Sequence, residues 1–329
     1  MTIRLADVEP SPDAFAAVMA TGILSIVARD HHYRVISDGL GVLATVALLA
    51  LVFLVIVNRT PACWDLRDPD VTLRLFTFVA ACAVVGSRLS SHVWVLRGLG
   101  AVALACWVVL IALSARNMVG RRWTALRDHA RGAWELASVG TSGLVIVMSQ
   151  LARHTGHRWW LTIALPVWAA AICIYGLMTW LILWRAVDQR QDRAGFEPDS
   201  WILMGGLAIA TLAGDGIHAV APAWLAGPLL AVTVLTWVAA TLWIPPLIHL
   251  GLRRINRGPD MLRFAGVWWA LVFPLGMYSA ASYAMAAELD QAALLSVSLV
   301  FFWDALAGWL IVVIAGLLLS WRRLVGDRA

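Results

Sequence analysis

Asp304, Asp215, His218 and Arg88 are ionisable residues embedded in otherwise apolar stretches of this chain. Charges at such positions are expensive in hydrocarbon and are kept for ion pathways, proton relays or mutual pairing. One use of these four is a proton relay, or a charge that recognises an anion. The other is structural: an Arg88 to Asp215 pair, with Asp304 hydrogen-bonded to a neighbouring helix. An unpaired carboxylate facing an anion path would repel its cargo, so Asp304 is expected to point away from such a path or to carry a proton. Glu135 and His249 fall at the ends of apolar stretches, where a side chain reaches water easily, and no role is expected of them. Helical histidines raise a second class of chemistry, haem held between helices in a membrane redox protein. His92, His154, His157 and His218 cluster toward the outer side, but His31, His32, His92, His154 and His157 read as loop or near-loop positions, and no two helices offer a histidine pair at mid-depth. Cys82, Cys106 and Cys173 lie within apolar stretches and Cys63 in a loop, without a CxxC pair or zinc spacing. No disulfide, metal site or cofactor is expected. There is no Gly-rich nucleotide loop, GxSxG or HExxH, so no catalytic residue is assigned.

The elements that must position these groups are membrane spans. Of 329 residues 61% are hydrophobic and 14% charged, and the mean hydropathy is +0.79; soluble domains carry roughly a quarter charged residues. A helix needs about 20 apolar residues to cross the hydrocarbon. Spans are expected at 12–28, 39–57, 73–90, 93–114, 133–152, 160–184, 200–221, 224–251, 264–287 and 293–320, forming one membrane domain over 1–329. The first ten residues balance Arg4 against Asp7 and Glu9, which does not suit a cleaved signal peptide. All 25 basic residues are arginine, and they sit in short connections, which reads as topology rather than nucleic-acid binding. With the N-terminus inside, 19 arginines fall on the cytoplasmic side and 6 on the other, so both termini are expected in the cytoplasm. Most of the 19 tryptophans fall near span ends, as in aromatic belts.

Odd and even spans differ in texture. The odd ones carry small and hydroxylated residues at mid-segment: Thr21, Gly22 and Ser25; Gly86; Gly140, Thr141 and Ser142; Gly206 and Thr211; Pro274 and Gly276. The even ones are bulky, such as LLALVFLVIV in the second. Small residues allow close helix packing in any bundle. Their recurrence on every second helix also suits an axial path lined by hydroxyls and backbone carbonyls, with Pro274 freeing a carbonyl that only protein or a water-filled cavity can satisfy.

Five segments then point to a family. The first span reads PDAFAAVMATGILS, the fifth WELASVGTSGLVIVMSQLA, the seventh SWILMGGLAIATLAG, the eighth LTWVAATLWIPPLIHLG and the ninth VWWALVFPLGMYSAAS. In this order they resemble the tellurite-resistance/dicarboxylate transporter family, which includes the plant guard-cell slow anion channels, yeast malate permeases and sulfite efflux pumps; Ala20 stands where that family usually has glycine. The resemblance implies an all-α membrane protein of ten transmembrane helices, arranged as five hairpins around a central pore with odd helices inside, assembled as a homotrimer. It also implies a pore gate at Phe273, just before Pro274, acting as a hydrophobic constriction. The expected partners are a small anion or C4-dicarboxylate and membrane lipid, in a bacterial inner membrane. The alternative kept beside it is a haem-binding redox or receptor-like membrane protein.

Overall fold

The computed structural model describes residues 11–58, 64–188, 198–255 and 268–326, and among them every regular element is helical. Cys63, Arg59 and the expected start of the ninth span at 264–267 lie outside the described residues. The helices are α1 (Ala16–Asp30), α2 (Arg34–Val57), α3 (Pro69–Arg74), α4 (Phe76–Arg88), α5 (Val93–Val119), α6 (Trp123–His129), α7 (Leu136–Thr155), α8 (Trp159–Asp188), α9 (Ile202–His218), α10 (Ala223–Ile255), α11 (Trp269–Glu288) and α12 (Ala293–Gly326). Local chemistry sets several boundaries. Asp68 caps α3 by accepting from the Asp70 amide at 3.0 Å, with Pro69 in the first turn. Gly156, at φ 67°, ends α7 in the left-handed conformation. α2 starts at Arg34, five residues before the expected Gly39, so Ser37 and Asp38 are helical. The charged α6 was not anticipated from hydropathy, because it is too polar and too short to register as a span.

Among the described residues nine helical segments are long and apolar enough to cross a membrane. Three of them join two pieces: α3 with α4, and α7 and α9 each with a 3-10 turn before it, Gly132–Glu135 and Pro198–Trp201. The remaining expected span, 12–28, is the 15-residue α1, about 22 Å long.

The helices form two concentric layers. α1 packs on α4, α4 on α7, α7 on α9, α9 on α11 and α11 back on α1, which closes an inner ring. Each outer helix lies on the inner helix next to it in sequence and also on the next one round the ring: α2 on α1 and α4, α5 on α4 and α7, α8 on α7 and α9, α10 on α9 and α11, α12 on α11 and α1. The expected parity therefore appears as burial. In the four long inner segments 72–89% of the most apolar window is buried, against 22–28% in the five outer ones. The outer helices present Leu49, Phe53 and Ile56 of α2 and Leu310, Ile311 and Leu317 of α12 at the surface. Such a surface would be costly in water and is matched by acyl chains. Exposed Trp94, Trp159 and Trp224 stand in the first turns of the outer helices α5, α8 and α10, positions that suit an interfacial belt.

Candidate transport path

The contacts of α11 identify its inward face. A Cβ on Gly276 would meet Ile23 of α1 at 2.9 Å, and Pro274 lies 3.0 Å from a Cβ placed on Gly205 of α9. Each residue turns a helix by about 100°, so Phe273 and Met277 fall in the sector between these two neighbours, toward the ring axis. The opposite face carries the bonds to the outer layer: Tyr278 Oη to Thr241 Oγ1 at 2.8 Å, and Ser279 donating to the Ser298 carbonyl at 2.6 Å. The same reasoning turns Met19 and Ile26 of α1 inward, between Gly22 against Val84 and Ile23 against Gly276. On α7 it selects Val139, Ile146 and Gln150, between Gly143 against α4 and Ser149 against Gly216 of α9.

These inward residues sort by level. Met19, Val139 and Phe273, each in the fourth or fifth position of its helix, are 1%, 0% and 2% exposed, and Met277 one turn on is 1% exposed. Farther along, Ile26, Ile146, Gln150, Leu212 and Ala284 are half-buried. The axis is thus sealed by apolar side chains near the starting ends of the inner helices and opens toward their far ends.

Most of the small residues singled out above serve the joints of the ring. Thr21 donates to the Ala17 carbonyl at 2.7 Å and accepts from Trp309 Nε1 of α12 at 2.9 Å. Ser25 donates to the Ser37 carbonyl at 2.7 Å. Thr141 accepts from Trp107 of α5, and Thr211 pairs with Thr236 of α10. Gly22 admits Val84, Gly86 faces Leu96 and Leu99, Gly140 admits Phe76, and Gly206 admits Tyr175. Ser142 differs: its hydroxyl is buried, with no hydrogen-bond partner among the described residues. Buried hydroxyls are normally satisfied, so one left over suits a water molecule or an anion.

The charges group differently from the expected pairing. Arg88 reaches Asp38, at 2.7 Å, and donates to Ser25 Oγ at 2.6 Å and Ser37 Oγ at 3.2 Å. It does not pair with Asp215. The early start of α2 is the reason, since it brings Ser37 and Asp38 within reach. Asp215 instead shares a corner with Glu288, Arg153 and His218, and His218 Nδ1 lies 3.1 Å from Glu288 Oε2. Glu288 and Arg153 went unassigned because they fall just past span ends; the signal was that the far ends of the seventh and ninth spans both carry charge. Asp304 is exposed on α12, away from the ring. His31 is held by Ser298 Oγ at 2.8 Å, and burial, with His32 beside it, pushes its imidazole below the usual range. Among the described residues no group of three metal-ligating side chains is present.

A model of the voltage-dependent anion channel family matches residues 10–317. An uncharacterized transporter of Methanocaldococcus jannaschii is 24% identical over 291 residues, 83% of this chain and 82% of its own length. A second uncharacterized transporter of that archaeon is 22% identical over 296 residues, 82% of each chain. An uncharacterized membrane protein of Mycobacterium tuberculosis is 33% identical over 128 residues, 37% of this chain and 64% of its own.

Proposed function

The chain belongs to the voltage-dependent anion channel family, and we propose that it conducts small anions, C4-dicarboxylates such as malate included, along the ring axis, with Phe273 as the gate. The observation that carries this reading is the inward, 2% exposed ring of Phe273 at the level where Met19 and Val139 are also sealed. An apolar plug of this kind stops ions by excluding water, and passage requires only that the ring or its helix move. No arginine is among the inward residues identified above, so selectivity would come from Ser142, from backbone dipoles and from the positive charge of the connections on one side rather than from a tight binding site. We further propose a single membrane unit of ten crossings, including the short α1, assembled as a homotrimer in a bacterial inner membrane with both termini cytoplasmic.

The test is anion flux in proteoliposomes over a panel of chloride, nitrate, sulfite, malate, succinate and tellurite, with and without a proton gradient. Phe273→Ala should raise flux of the conducted anion at least severalfold at equal protein density. Unchanged flux from a correctly inserted variant sinks the gate, and no flux of any anion sinks the transport reading.

A further inference from the structure

Among the described residues Glu135 is the most deeply buried carboxyl. It ends the 3-10 turn that leads into α7, and it is 0% exposed, so the easy access to water expected for a span end is absent. Thr179 Oγ1 of α8 donates to Oε1 at 2.7 Å, while Oε2 is buried with no hydrogen-bond partner among the described residues. The carboxyl makes no cap bond to the first amides of α7. The surrounding titratable groups have partners of their own. Tyr175 of α8 accepts from Trp243 Nε1 of α10 at 2.8 Å, and its own hydroxyl lies beside Thr179 and the Glu135 carboxyl. Arg185 of α8 donates to the Ala130 carbonyl at 2.8 Å, and Asp199 of the other 3-10 turn accepts from the Ala133 amide at 3.0 Å. Asp70 of α3 pairs with Arg74 at 3.2 Å and accepts from Trp134 Nε1. On the α9 side Gly206 faces Oε2. A carboxylate removed from water needs a cation or several donors, and among the described residues it has one donor. A proton on Oε2 removes that need.

The position of this carboxyl connects it to the constriction. A Cβ on Gly206 would lie 3.9 Å from Oε2, and the adjacent Gly205 is the surface on which Pro274 rests, next to Phe273. Two adjacent glycines of α9 therefore touch both, Gly206 the carboxyl and Gly205 the turn that carries the Phe273 ring.

We infer that Glu135 is a buried proton-binding site that controls the Phe273 constriction, with the path closed while Oε2 carries a proton. On ionisation the proton passes to water on the side where the inner helices begin; no other bond is made or broken. The bare carboxylate then draws water and new donors into the seam of α7, α8 and α9, Gly205 and Gly206 shift, and the Pro274 turn moves with them. This rests on the transport reading above.

The experiment measures chloride and malate flux of the full chain in proteoliposomes as pH is varied on each face. Wild-type flux should rise severalfold as pH rises on the side where the inner helices begin. Glu135→Gln should remain at the low-pH level at every pH. Thr179→Val, which removes the one donor, should move the midpoint to higher pH, and Phe273→Ala should conduct without pH dependence. Infrared difference spectra on a pH jump should contain a protonated-carboxyl carbonyl band that is missing in Glu135→Gln; this readout needs no transport, so it separates failure of the proton site from failure of the transport reading. A wild-type pH profile or an unchanged infrared band in Glu135→Gln overturns the site. Full pH dependence in Phe273→Ala overturns its link to the constriction. Flux that follows sodium rather than proton activity overturns the identity of the ligand.

Discussion

Arg88 illustrates how a single side chain can organise the far end of the ring. Its guanidinium is tied to Ser25, Ser37 and Asp38, and so joins α4 to both α1 and α2. Asp38 is largely exposed, so the ion pair itself contributes little; the buried hydroxyls matter more. Arg88→Gln should lower stability by roughly 1–3 kcal/mol, the cost of leaving such partners unmade, read as a drop in melting temperature of the detergent-solubilised protein. Asp304→Asn should leave anion flux unchanged, because that carboxyl is exposed on α12 away from the axis; a clear change in flux would return Asp304 to the path. At this scale the sequence was only partly legible. Hydropathy reports depth and says nothing of azimuth, so it does not reveal that the hydroxyls of Thr21, Ser25, Thr141 and Thr211 bond to neighbouring helices. The burial of Glu135 is hidden for the matching reason, since nothing in the spacing reveals that other helices cover a span end.

Among the elements, the joints between inner helices depend on places where a side chain does not fit. Gly132 lies against the Asp199 backbone, and Gly205 against Pro274. Gly205→Ala would crowd Pro274 at 3.0 Å from its Cβ and Cγ, which predicts overpacking of about 1–3 kcal/mol together with altered flux, since the displaced turn carries Phe273. Gly98 and Gly227, on the outer helices α5 and α10, have open space around them. Alanine there should be neutral or stabilising by up to about 1 kcal/mol through helix propensity, which makes these two the matched controls in the same melting assay. The alternation of small and bulky spans was readable because close approach demands small residues and lipid contact tolerates large ones. The boundaries were less so: polar Arg34, Ser37 and Asp38 hide the first turns of α2, and the 3-10 leaders of α7 and α9 carry no periodic signal.

For the whole molecule, the arginine bias predicts that a reporter fused after Ala329 is active only if it folds in the cytoplasm; activity of a periplasm-dependent reporter would invert the topology. The inner ring closes on itself, and it is this closure that no local pattern could announce, because α1 and α11 meet across some 250 residues of intervening chain. That contact has a consequence for biosynthesis. Helices emerge in order, so α1, α4, α7 and α9 stand as an incomplete arc until the ninth span arrives, with Ile23 and Gly205 lacking the neighbours that cover them in the finished protein. A chain stopped after residue 268 should therefore be inserted yet short-lived in the membrane. Supplying 269–329 as a separate polypeptide should restore its lifetime, since the missing stave of the barrel is a hairpin that can be delivered late.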